Sequence, residues 1–278
     1  MNSVRQTLSI VVLGAALCLA WAGVVHFLPR PELAETNYVA NRLRIEHWLL
    51  DPPTSNVLVG TSISGRLLSA YFANTPLHSL SNLGLDGANP DTGLALVLSR
   101  PIPPAAVFLE VHRLIMPPSA NDAKLRELVR GPDLELSRYA PITRADWRPS
   151  TVLYAWLKSR QTGGGTVGVS TAPVEPEAQS AKPDADWAPR IREKVKQIQA
   201  RGTKVWLIRL PVGRENPPDA SSLSFADQAA VTLNLPLIDL YRLGQRTGEA
   251  VKYTDGLHLT PRSAAQAARQ LAEMAGGQ

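Results

Sequence analysis

Along this chain the spacing of apolar positions changes several times, and each change marks an element. Residues 8–28 carry no Asp, Glu, Lys or Arg at all. At about 1.5 Å per residue such a run covers about 30 Å in helical form, the hydrocarbon thickness of a bilayer. Residues 37–50 then place apolar side chains at helical intervals, which predicts a helix leading into the domain. After Asp51-Pro52-Pro53 the run 56–60 reads as a short buried strand, and 66–72 as a helix. A second strand falls within 77–85, followed by a Gly-Ala-Asn-Pro turn and a helix over 91–99. The third strand is 105–111, and two helices are expected within 121–160.

Residues 161–186 lose all periodicity and are rich in Gly, Pro, Ser, Thr and Ala, which predicts a flexible insertion and not a separate domain. Beyond it come an amphipathic helix over 187–200, a strand over 204–210, a helix over 225–233, a short strand over 237–240 and a closing helix over 261–274. Short apolar strands alternating with helices imply an α/β fold whose mainly parallel, five-stranded sheet is covered on both faces. In such sheets ligands sit beyond the carboxyl ends of the strands. The chain divides into a tail and anchor (1–30), a linker with its leading helix (31–54), and one α/β domain (55–278).

Composition changes this picture little. The 278 residues suffice for one domain with a large core, and 44% hydrophobic content is too low for a multi-span membrane protein. The net charge of +5 comes from Arg scattered among Asp and Glu, without a basic cluster, so a mildly cationic surface is expected and not a nucleic-acid binder. Cys18 is the only cysteine, which excludes an intramolecular disulfide and a Cys-ligated metal site; no metal or cofactor is expected. Ala20-Trp21-Ala22 would fit a signal-peptide cleavage site, but the apolar run continues past it to Leu28, which favours an uncleaved anchor. Either way the C-terminal domain is expected outside the cytoplasm. With Arg5 before the span and Arg30, Arg42 and Arg44 after it, charge alone does not fix the orientation.

Two clusters carry candidate chemistry. Gly60-Thr61-Ser62-Ile63-Ser64 follows the first strand, where a serine can expose its Oγ while nearby backbone N–H groups face a developing oxyanion. The same residues would also serve as helix caps. Asp255-Gly256-Leu257-His258 lies on a tight turn before the last helix. There a carboxylate can hold the imidazole Nδ1 and leave Nε2 as a general base toward serine. Alternatively Asp255 is a turn residue, His258 a partly buried one, and Thr260 the cap of the helix that Pro261 begins.

Taken together, these blocks resemble the SGNH, or GDSL-like, hydrolase superfamily. The resemblance covers about residues 55–275 and implies a three-layer, flavodoxin-like sandwich with Ser62, Asp255 and His258 as catalytic triad. Asn82-Leu83-Gly84-Leu85-Asp86-Gly87-Ala88-Asn89 looks like the family's second block, so Gly87 would join Ser62 in donating N–H to an oxyanion hole. The third block departs from the pattern: His112 stands where an Asn would donate to the oxyanion, and either keeps that role or is structural. Thr61 replaces the usual Asp. Arg66, Arg113, Arg209 and Arg214 are candidates for binding acidic or carboxylate groups, with surface ion pairs as their ordinary alternative. An anchored SGNH-like domain is similar to bacterial proteins that add or remove acetyl esters on exopolysaccharides or cell-wall polymers. That similarity implies a glycan substrate, an inner-membrane site facing the periplasm or exterior, and a multi-span acyltransferase or polysaccharide synthase as partner. The alternatives are a non-catalytic polysaccharide-binding or assembly subunit of the same fold, and a lipid esterase tethered to the cytoplasmic face.

Overall fold

The computed structural model describes residues 2–28, 30–162, 184–213 and 220–277. Most of the predicted insertion, residues 163–183, lies outside that set, as does Arg214.

The apolar N-terminal run forms helix α1 (Asn2–His26), whose mean hydropathy reaches 2.4 with none of that window buried against the rest of the chain. A helix of this length and composition is able to cross a membrane. Its domain end is tied down: Trp21 Nε1 donates to the carbonyl of Trp147 at 2.6 Å.

Helix α2 (Asn37–Leu50) starts at Thr36, whose hydroxyl accepts from Val39 N. It is built into the domain and does not merely lead to it, because Leu43, Ile45 and Trp48 are buried. The sheet is made of β1 (Asn56–Gly60), β2 (Leu80–Gly84), β3 (Ala106–Glu110), β4 (Lys204–Arg209) and β5 (Leu237–Asp239), all parallel, in the order β2-β1-β3-β4-β5. Side chains alternate along each strand, so Val57 and Val59 enter one apolar cluster and Leu58 the other. The first cluster is closed by Ile45 and Trp48 of α2, Leu94 and Val97 of α3 (Pro90–Ser99), and Ile191 and Val195 of α7 (Trp187–Ala200). The second is closed by Phe72 and by Ala267, Ala268 and Leu271 of α10 (Pro261–Gly276).

Between β3 and β4 lie α4 (Ala120–Arg130), α5 (Pro132–Tyr139) and α6 (Pro149–Thr162); α8 (Ala220–Leu233) and the one-turn α9 (Leu243–Thr247) flank β5. The helix expected over 66–72 is instead two 3₁₀ turns, Ser64–Arg66 and Ser69–Phe72. The reason is local crowding: a Cβ at Gly65 would meet the Gly84 carbonyl at 2.7 Å, so the backbones of the first turn and β2 touch directly. The chain leaves β1 toward β2 on one side and returns to β3 on the other. In a parallel sheet such a reversal is the place where ligands bind, here at the carboxyl ends of β1 and β3.

Candidate functional site

Gly60 closes β1 because nothing larger fits: an added Cβ would stand 2.2 Å from a carboxylate oxygen of Glu110 and 2.3 Å from Ser64 Oγ. Glu110, wholly buried at the end of β3, accepts from Thr61 N at 2.8 Å, Thr61 Oγ1 at 2.9 Å and Ser64 N at 3.2 Å. One carboxylate thus brackets the turn that carries Ser62, fixing it from both sides.

The turn before α10 is shaped by its own hydrogen bonds. Tyr253 and Leu259 form an antiparallel bridge, and Thr254 N donates to the His258 carbonyl at 2.9 Å. Gly256 sits at φ +77°, in the left-handed region that glycine enters freely. The Asp255 carboxylate accepts from Leu257 N at 3.0 Å and His258 N at 2.8 Å. Gly213, after β4, packs against this turn and donates its N–H to the Leu257 carbonyl at 3.2 Å. The turn leads straight into α10, capped by the Thr260 hydroxyl with Pro261 in its first turn.

These two turns, 196 positions apart in the chain, meet. His258 Nδ1 lies 2.6 Å from Asp255 Oδ2, and Nε2 lies 2.9 Å from Ser62 Oγ. Burial acts to raise the Asp255 pKa, but the two backbone N–H groups and the imidazole outweigh it and bring the carboxyl down to about 2. An ionised Asp255 cannot donate, so Nδ1 of the neutral imidazole carries the proton and Nε2 is left as acceptor for the Ser62 hydroxyl. Burial, and then the positive charge of Arg66, hold the His258 pKa below its usual 6.5, against the pull of Asp255. A neutral imidazole with a free Nε2 lone pair is the state a general base requires.

The loop after β2 is equally fixed. Asp86 N donates to Asn41 Oδ1 at 2.7 Å, while Asn41 and Asn121 both donate to the Asp86 carbonyl. Arg44, also from α2, donates to the Gly84 carbonyl at 2.5 Å and the Gly65 carbonyl at 3.1 Å, so one guanidinium binds β2 to the Ser62 segment. Gly87 follows at φ +69°, its carbonyl accepting from Ser119 Oγ. After β3, partly buried His112 is followed by Arg113 at φ +61°, a conformation that costs a non-glycine residue energy. Asn89 secures this bend by donating to the carbonyls of Arg113 and Met116.

Of the four arginines, Arg66 stands beside the triad, and its Nε is buried without a hydrogen-bond partner among the described residues. Arg209 is held in an ion pair with Asp239 and stacks over Tyr241, as in the salt-bridge alternative. The site therefore rests on Glu110, Arg44 and Asn41, none of which the motifs singled out. A signal for Glu110 existed: it is the one charge inside an otherwise apolar strand, 105–111. Among the described residues no cluster of His, Cys, Asp and Glu could hold a metal ion.

The fold and site together define an α/β protein with a Ser–His–Asp relay at its sheet's carboxyl edge. No protein-family model, no curated protein and no solved structure matches the chain.

Proposed function

We propose that this protein is a membrane-anchored serine esterase or O-acyltransferase of SGNH type, with a flavodoxin-like three-layer domain. The observation that carries this reading is the continuous hydrogen-bonded relay Ser62–His258–Asp255. The strand order, with the relay beside its switch point, supports the layering.

In this reading Nε2 of His258 takes the Ser62 proton as Oγ bonds to the ester carbonyl carbon. The N–H groups of Ser62 and Gly87, with His112, hold the resulting oxyanion. Collapse expels the alcohol, which leaves with the proton from His258, and the acyl group stays on Ser62. Water then attacks the acyl-enzyme, giving its proton to His258, and the acid departs as Ser62 recovers that proton. In the transferase variant a sugar hydroxyl takes the place of water. Asp255 stays ionised throughout and stabilises the imidazolium.

The substrate in this reading is a glycan carrying acyl, chiefly acetyl, esters. The domain faces the periplasm or exterior of a bacterial inner membrane, beside a multi-span acyltransferase or polysaccharide synthase. The test is hydrolysis of p-nitrophenyl acetate by the purified full-length protein and by Ser62→Ala. A loss of at least about 10³-fold is expected. Equal rates in the two would eliminate the enzyme and leave the second reading, a non-catalytic glycan-binding subunit, which the His112 substitution in the third block favours.

A further inference from the structure

A cavity of about 950 Å³ opens beside the relay and not within it. It is lined by Arg66, Asp86 and Leu259, the last adjoining His258 in the chain, and by Trp21 and Leu28, where the apolar anchor emerges. Residues of α6 (Val152, Tyr154, Ala155, Trp156) and Leu68, Ala70 and Tyr71 line it as well. That volume is near the upper end of the roughly 300–1,000 Å³ of small-molecule sites, and the lining is overwhelmingly apolar. The face of α6 bearing Leu153, Trp156 and Leu157 is exposed, as are Leu136, Tyr139 and Ile142 nearby in the chain. Exposed apolar side chains of this kind suit a bilayer surface, and Trp21 and Trp156 suit its headgroup level. Burial dominates the acid groups of the wall, raising the pKa of Glu32, Tyr71 and Tyr154.

From this continuity between anchor, cavity and relay we infer that the cavity receives the hydrocarbon chain of a membrane lipid ester. Its ester group reaches Ser62, and the unpartnered Nε of Arg66 donates to one of its oxygens. The lipid ester is thus a membrane-resident acyl donor, lodged in the leaflet from which α1 emerges, and the glycan hydroxyl of the transferase variant above is the acceptor. This rests on the acyl-transfer reading above for its chemistry, but the chain-binding cavity is testable without it.

Full-length protein is reconstituted in phosphatidylglycerol–phosphatidylcholine vesicles and assayed with p-nitrophenyl acetate and decanoate. Filling the cavity by Ala155→Trp, or independently by Ala70→Trp, is expected to lower the decanoate-to-acetate ratio of kcat/KM by at least about tenfold, with acetate hydrolysis kept. An unchanged ratio in both variants overturns the inference. In a second arm, Ser62→Ala protein is photolysed in vesicles whose phosphatidylcholine chains carry a diazirine. Cross-links on residues 66–71 and 149–158 are expected. Labelling confined to α1 overturns the cavity's role, whereas cavity labelling combined with no hydrolysis of either ester by the wild-type protein upholds it and overturns the acyl-transfer reading.

Discussion

At the scale of single residues, the relay's protonation sets its pH behaviour. Because burial and Arg66 hold the His258 pKa below 6.5, kcat/KM should rise with pH through an apparent pKa below that value. Replacing Arg66 by Met removes a cation that disfavours the imidazolium. The acid limb should then move to higher pH, which a pH–rate profile reads directly; an unmoved limb would show that Arg66 exerts no field at His258. Asp255→Asn should leave the geometry while favouring the wrong imidazole tautomer, lowering kcat by about 10²–10⁴-fold. The same two groups tie stability to pH. Both have folded-state pKa values below their unfolded ones, so stability is full at higher pH and lost on acidification. The loss begins below about 6.5 for His258 and falls between about 3.8 and 2 for Asp255. Ser62, Asp255 and His258 were legible in the sequence as candidates through the family pattern that their two turn blocks together resemble, each block alone reading equally as a cap or a turn. Arg66's unpartnered Nε was not legible, because what surrounds a guanidinium depends on segments distant in the chain.

At the scale of elements, the site is a junction of strand ends held by buried charge. Glu110 at the end of β3 grips Thr61 and Ser64, and Arg44 from α2 joins β2 to the same turn. Glu110→Ala would leave the N–H groups of Thr61 and Ser64 buried without acceptors, a cost of about 3 kcal/mol, seen as a lower denaturation midpoint. Glu110→Gln keeps the size but presents an NH₂ toward donors. It should reduce kcat by about 10- to 100-fold through displacement of Ser62, with KM little changed. A wild-type kcat in that variant would remove Glu110 from any positioning role. The five strands were legible from their apolar runs, as was α10 from its Pro261 start. The 3₁₀ turns after Ser62 were not, since they follow from Gly65 pressing against Gly84, a contact between separate strand ends.

At the scale of the whole molecule, α1 is a helix able to span a bilayer, and its domain end lines the same cavity as Arg66 and Asp86, which follow β1 and β2. The proposed export of the domain predicts that a C-terminal alkaline phosphatase fusion is active in bacterial cells while a β-galactosidase fusion is not. The reverse pattern would place the domain in the cytoplasm.

By itself the sequence determined the apolar span, the α/β alternation, the apolar strand runs and the two turn blocks in which Ser62, Asp255 and His258 stood as candidates. These are properties of local period and turn chemistry, which short windows of residues carry. Only the tertiary structure decided that Ser62 and His258 meet at 2.9 Å, that Glu110 and Arg44 hold the ground beneath them, and that one cavity is lined both by Arg66, beside the relay, and by Trp21 of α1. Each of those depends on the strand order, which brings together residues that no local window contains.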